Sequence, residues 1–296
     1  MGMKIKEINS FSFIGNLAGE KKPSEMKEID EENDIINCKE KFDRKCLLLK
    51  PLELLRVSLP GENVDTRQIP VLINDDVRIE LMVSSSPQAN GEQRPKGQYE
   101  VQVQVENKRT TKTPQGDFEL DEGDLLVVPP DINSTVSGQG VTSRLIIYTN
   151  KPVHVAKGYP VKDHQDKKFI FLQPKKVLDL VEEGRSGGKH FELVENEDIM
   201  IEATVRSDSQ KIYHKGFGQD EVAFQLSGQR PTRTTQGEFL LETGDMLWIP
   251  PGVSHRNLGE MLTMRIVLYT PKPLRLASEY TERAKKVEAL RIPKAS

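Results

Sequence analysis

The chain repeats itself, and no other feature restricts its fold so strongly. Residues 98–152 align with residues 219–273 without a gap, at a constant offset of 121 residues. Under that offset Glu100 meets Glu221, Gln104 meets Gln225, and Gly123-Asp124 meets Gly244-Asp245. Pro129-Pro130 falls on Pro250-Pro251, Arg144 on Arg265, and Tyr148-Thr149 on Tyr269-Thr270. A gapless match of this length and varied composition is not chance, so the chain carries a duplication. Its 296 residues allow two domains, each large enough to bury a core of its own.

Each copy reads as short strands broken by turns. The segments from Glu100 (EVQVQVE) and Glu221 (EVAFQLS) alternate on a period of two, as half-buried strands do. TPQGDF and TTQGEF place a glycine in a polar tetrad between strands, a hairpin signal. LLVVPP and MLWIPP are apolar runs stopped by a double proline, which cannot continue a central ladder. RLIIYT and RIVLYT close each copy with a further β-branched strand. The expected class is all-β, a tandem pair of sandwiches or small barrels rather than βαβ units, with a few peripheral helices.

Composition excludes several partners. Charged residues make up 29% and the formal net charge is −3, which gives no electrostatic reason for nucleic acid or an anionic membrane as partner. No apolar run approaches the roughly 18 residues needed to span a bilayer. The N-terminus lacks an apolar core with a small-residue cleavage site, and Cys38 and Cys46 form no CxxC pair. Two reduced thiols in a cytoplasmic protein are expected.

The expected organisation is an N-terminal charged arm over 1–45, a first barrel over 46–153 and a linker over 154–190. A second barrel over 191–274 and a C-terminal helix over 275–296 complete it. The arm is rich in Lys and Glu and reads as partly ordered at best. Lys175–Gly188 has apolar residues at Val177, Leu178, Leu180 and Val181, then a glycine stop, and predicts one short helix. Ala277–Arg291 predicts a helix that lies on the surface or covers a neighbouring subunit.

The second copy contains YHKGFGQDEVAFQLSG and GDMLWIPPGVSHRN. These stretches resemble the cupin superfamily, and the duplication makes the chain similar to a bicupin. The resemblance implies two cupin jelly-roll barrels of double-stranded β-helix type. Glu221 and Gly228 keep the spacing that ends the family's first motif. Gly244, Pro250, Gly252 and His255 fit the second throughout. The first motif departs from the family's H-x-H: only His214 stands nearby, seven residues ahead of Glu221. The family's later asparagine stands at Asn257.

The residues themselves support a metal reading. On a strand, Glu221, Ala223 and Gln225 share one face. An ionised Glu221 inside a barrel is too costly unless paired or bound to a metal. His255 follows the PPG turn and can reach the same interior, and His214 comes from the end of the preceding segment. Two histidines and one carboxylate make a facial triad with positions left open on a non-haem Fe(II); Mn, Ni or Zn fit the same donors. The competing reading makes His214 a surface or capping residue and pairs Glu221 with Arg233 or Arg265. His154, His164 and His190 lie outside the motifs and read as structural or surface residues.

The first copy serves as a control. Ser134 stands where the second has His255, and Gln93 or Glu92 stands opposite His214. Glu100 survives without a histidine, so the first barrel is expected to be scaffold, with Glu100 held by Arg109 or Arg144.

Among bicupins the second copy is similar to ring-cleaving dioxygenases, namely 3-hydroxyanthranilate 3,4-dioxygenase and the homogentisate dioxygenase group. The resemblance implies Fe(II) held by His214, Glu221 and His255, with dioxygen and a small hydroxylated aromatic carboxylate as substrates. Gln225 then serves as a catalytic hydrogen-bonding group. Arg233, Arg256 and Arg265 are candidates for the substrate carboxylate, which a guanidinium binds in bidentate fashion. Three features depart from the hydroxyanthranilate enzymes. Gly259 stands where they have arginine, RIVLYTPKP lacks their glutamate, and the His-to-Glu spacing is one residue longer. A non-oxidative metal enzyme, isomerase or lyase, and a metal-free ligand-binding bicupin are the alternatives. A homodimer is expected by analogy with other cupins.

Overall fold

The computed structural model describes residues 4–6, 28–30, 44–62, 65–85, 97–132, 134–138, 140–160, 169–181, 188–210, 213–214, 218–259 and 261–291. Gln93, Glu92, His164 and most of the N-terminal arm lie outside them. The described residues are mostly β-strand, gathered into two seven-stranded and two three-stranded antiparallel sheets and one short pair, with few helices.

The duplication predicts the strands residue for residue. Tyr99–Glu106, Arg109–Thr113, Gly116–Leu120, Leu125–Val128 and Thr142–Thr149 recur as Asp220–Ser227, Arg230–Thr234, Gly237–Leu241, Met246–Ile249 and Thr263–Thr270. Even the register irregularity recurs, between Ser143 and Arg144 in one copy and between Gln225 and Ser227 in the other.

The chain divides into two compact units of interleaved segments. One comprises Met1–Leu49, Glu183–Lys189 and Thr204–Pro271; the other comprises Lys50–Glu182, His190–Ala203 and Lys272–Ser296. In the first, the strand Asp220–Ser227 runs between Thr263–Thr270 and Met246–Ile249, and Leu47–Leu49 pairs with the outer side of Met246–Ile249. The hairpin Arg230–Thr234 with Gly237–Leu241 and the strand His255–Asn257 form its three-stranded sheet. An apolar cluster of Cys46, Leu241, Leu247, Ile249 and Val253 packs behind these strands.

The other unit holds the first repeat and two helices, Pro51–Arg56 and Ser278–Arg291. The second helix is the one expected near the C-terminus. Tyr280 and Val287 are buried, and Arg283 donates to the Leu54 and Val57 carbonyls and to Glu62. Within the stretch expected as a helix over Lys175–Gly188, the described residues form a 3-10 helix, Pro174–Leu180.

One reading needs correction. The alternating strands at Glu100 and Glu221 look half-buried in sequence, yet both faces are covered. Glu100, Gln102 and Gln104 have essentially no exposure. Their polar face turns to other polar side chains rather than to water. No helix among the described residues is long and apolar enough to cross a membrane.

Candidate metal centre

Three segments of one unit bring the expected donors together. Glu221 sits on the strand Asp220–Ser227, opposite Ile249 and Tyr269. His255 opens the short strand that follows the Pro250-Pro251-Gly252 turn, where it pairs with Thr234. His214 and His255 exchange both backbone hydrogen bonds, at 2.9 and 2.8 Å, as an isolated antiparallel bridge. That bridge places their rings 4.1 Å apart, centre to centre. One donor atom from each of His214, Glu221 and His255 lies within 4.8 Å of the others.

Burial makes the arrangement costly without a cation. His255 is 1% exposed and Glu221 5%. Burial alone pushes the Glu221 carboxyl up, but His255, His214 and Arg265 outweigh it and hold the group below the ordinary carboxylate range. His255 stands between two acceptors, with Nδ1 3.4 Å from the Val253 carbonyl and Nε2 3.2 Å from Glu221 Oε1. A proton on Nε2, or a metal ion in its place, satisfies the Glu221 carboxylate in this dry interior. The donor set fits a first-row divalent metal, whose ligands sit at about 2.0–2.2 Å.

The other expected site residues are placed differently. Gln225 is fully buried, but its amide donates to the Ser227 carbonyl at 2.6 Å and accepts from Arg265 Nε at 2.6 Å. Arg265 also donates to Asn257 Oδ1, to Thr232 Oγ1 at 3.0 Å and to the Arg230 carbonyl. Burial pulls its pKa down to about 9. Four of its five N–H groups are thus engaged within the protein, which leaves no bidentate face for a carboxylate.

Arg233 and Arg256 are register partners on neighbouring strands. Because His255 and Arg256 are adjacent on one strand, their side chains leave on opposite faces. Arg233 pairs with the exposed Glu238, and Arg256 stacks 4.7 Å from the centre of the Tyr213 ring. Both arginines therefore sit across the strand from the histidine. His154 and His190 are exposed, as expected of residues outside the motifs.

A residue that carries no motif completes the site. Gln210 is 4% exposed and places its side-chain amide 2.8 Å from His214 Nδ1. Its own backbone N–H donates to the Asn257 carbonyl at 2.7 Å. It stands four residues ahead of His214 in an irregular stretch, and only the return of the chain past Asn257 reveals its role.

In the first repeat, Ala223 is replaced by Gln102. The Gln102 amide donates to Glu100 Oε1 at 2.5 Å and accepts from Arg109. Glu100 is thus held by Gln102, with Arg109 one step beyond. With Ser134 at the position of His255, Glu100 has no counterpart of that imidazole, and Gln102 stands beside it where the second repeat has the small Ala223.

No family model and no curated protein matches the chain. Solved structures do. A cupin 2 conserved barrel domain protein from Leptotrichia buccalis superposes on 77% of this chain and 96% of its own, with a TM-score of 0.54 at 13% identity. The fold is a bicupin. A glyoxylate induced protein from Pseudomonas aeruginosa covers 80% of this chain and 93% of itself, with a TM-score of 0.56 at 12% identity. Salicylate 1,2-dioxygenase from Pseudaminobacter salicylatoxidans covers 78% and 88%, with a TM-score of 0.57 at 11% identity. At these identities the likeness carries the fold alone.

Proposed function

We propose that the second repeat houses a metal-dependent dioxygenase centre, with Fe(II) as its metal and a small hydroxylated aromatic carboxylate as substrate. The observation that carries this reading is the convergence of His214, Glu221 and His255 within 4.8 Å. Two imidazoles and one carboxylate are the donors of a facial triad, which leaves positions open for two reactants. The likeness to salicylate 1,2-dioxygenase, which has also been solved with gentisate, supports a hydroxylated aromatic acid as the class of substrate.

When bound, the metal supplies Lewis acidity toward a ring hydroxyl and a common anchor for the ring and dioxygen. The protein's own part is distinct. Glu221 offsets cationic charge, and its burial keeps that charge poorly screened. The Val253 carbonyl orients His255 so that Nε2 faces inward. Gln225 and Arg265 stiffen the strand pair beyond Glu221 instead of meeting the substrate.

The test is oxygen consumption by the protein loaded anaerobically with Fe(II), using salicylate and gentisate as probes. Uptake of dioxygen with ring cleavage, lost in Glu221→Ala, is expected. Turnover that persists under strict anaerobiosis would point instead to a non-oxidative enzyme using Mn, Ni or Zn.

A further inference from the structure

A chain of buried hydrogen bonds runs from Gln225 to His214, and its direction is set at the arginine. Arg265 can only donate, so Asn257 Oδ1 must accept from it. Thr232 Oγ1 donates to the same oxygen at 3.0 Å. Asn257 Nδ2 therefore points the other way and donates to Gln210 Oε1 at 3.3 Å. The Asn257 backbone N–H donates to that oxygen as well, at 3.1 Å. Two donors on Oε1 fix the amide, so Gln210 turns its Nε2 toward His214 Nδ1 at 2.8 Å.

An amide nitrogen only donates, hence Nδ1 accepts and neutral His214 carries its proton on Nε2. With Nδ1 engaged by Gln210, Nε2 is the nitrogen left for the site. A protonated Nε2 has no lone pair for a metal. The usual support of a metal-bound imidazole is the reverse, with the remote N–H donating to a carbonyl or carboxylate. His255 has an acceptor in that place, the Val253 carbonyl 3.4 Å from Nδ1. His214 does not.

We propose that Gln210 is a positioning residue that gates His214. It holds the ring as an Nε2–H donor, so Glu221 and His255 take a metal first. His214 becomes the third ligand only when the Gln210 amide turns away from Nδ1. This inference rests on the metal reading above and adds a control to it: the site is set for weak or conditional loading.

Two measurements test the gate. Nitrogen-15 NMR of the metal-free, full-length protein reads the tautomer of His214 directly, assigned by comparison with His214→Gln. The Nε2–H form is expected, and a proton resident on Nδ1 would overturn the proposal. The second is the variant Gln210→Glu, whose carboxylate can accept from Asn257 with one oxygen and from Nδ1–H with the other. It should move the proton to Nδ1 in the metal-free protein and raise Zn(II) affinity by about tenfold or more, the scale of such supporting contacts. Zn(II) binding no tighter than in the parent, or an unchanged tautomer in the variant, would overturn it. Failure of the dioxygenase reading alone looks different. Metal then binds and the Gln210→Glu gain stands, but no dioxygen is consumed.

Discussion

His255 Nε2 stands 3.2 Å from Glu221 Oε1, with both side chains closed off from water. That separation suits an N–H···O bond in the metal-free site and two ligands of one cation in a loaded site. The same place in the first repeat has Ser134 and Glu100, and there the carboxylate is held by the neighbouring Gln102. The chemical asymmetry of the two repeats therefore lies in a few interior residues carried on matching strands.

Ala223→Gln should convert the second site toward the first. The new side chain occupies the position of Gln102, two residues along the same strand face from the carboxylate, and can donate to Glu221 as Gln102 does to Glu100. Divalent metal affinity should fall at least about tenfold, the scale seen when groups supporting a metal site are altered. Calorimetric titration of parent and variant measures it, and unchanged affinity would detach the asymmetry from Ala223.

Glycine at position 228 is explained by its backbone. Its φ is +73°, and an added Cβ would lie 2.9 Å from Thr263 Cγ2 and 3.0 Å from the Leu262 carbonyl oxygen. Asn107 holds the equivalent place with φ of 60° and donates to the Val141 carbonyl at 2.6 Å. Gly228→Ala should destabilise by at least about 1–2 kcal/mol, the cost of a left-handed residue with a Cβ. Gly228→Asn should cost less, because its amide can reach the Leu262 carbonyl in the same way. Chemical denaturation ranks the two, and the reverse order would refute the equivalence.

Glu80 makes stability depend on pH in the first-repeat unit. Burial pushes its carboxyl above the ordinary value of 4.5, and contacts from Gln68 and Arg78 only partly reverse the shift. A raised carboxyl contributes stability that is complete below the unfolded pKa and lost as pH rises through the folded one. Glu80→Gln keeps an acceptor for Gln68 without the charge. The melting temperature of the variant relative to the parent should therefore rise between acid and neutral pH. A pH-independent difference would contradict this.

Much of the fold is legible because strand alternation, turn glycines and double prolines survived the duplication, and one constant offset maps five strands onto five. His214, Glu221 and His255 are legible for a related reason: the PPG turn and the Glu-to-Gly spacing are local. What escapes the sequence is what long-range pairing creates. Gln210 sits in an irregular stretch and meets His214 and Asn257 only when the chain folds back. Gln225 and Arg265 carry the polarity of a substrate-binding pair, but their register puts them opposite each other and they bind one another. The placement of Arg256 on the face opposite His255, by contrast, follows from the two being adjacent, since neighbours on a strand alternate.

The most direct test of the central claim is anaerobic Fe(II) titration followed by elemental analysis of the parent protein, Glu221→Ala, His255→Ala and Glu100→Ala. A single ion per chain in the parent and in Glu100→Ala, lost in the other two, is the predicted pattern. A metal-free parent, or an ion retained in Glu221→Ala and His255→Ala alike, would contradict it.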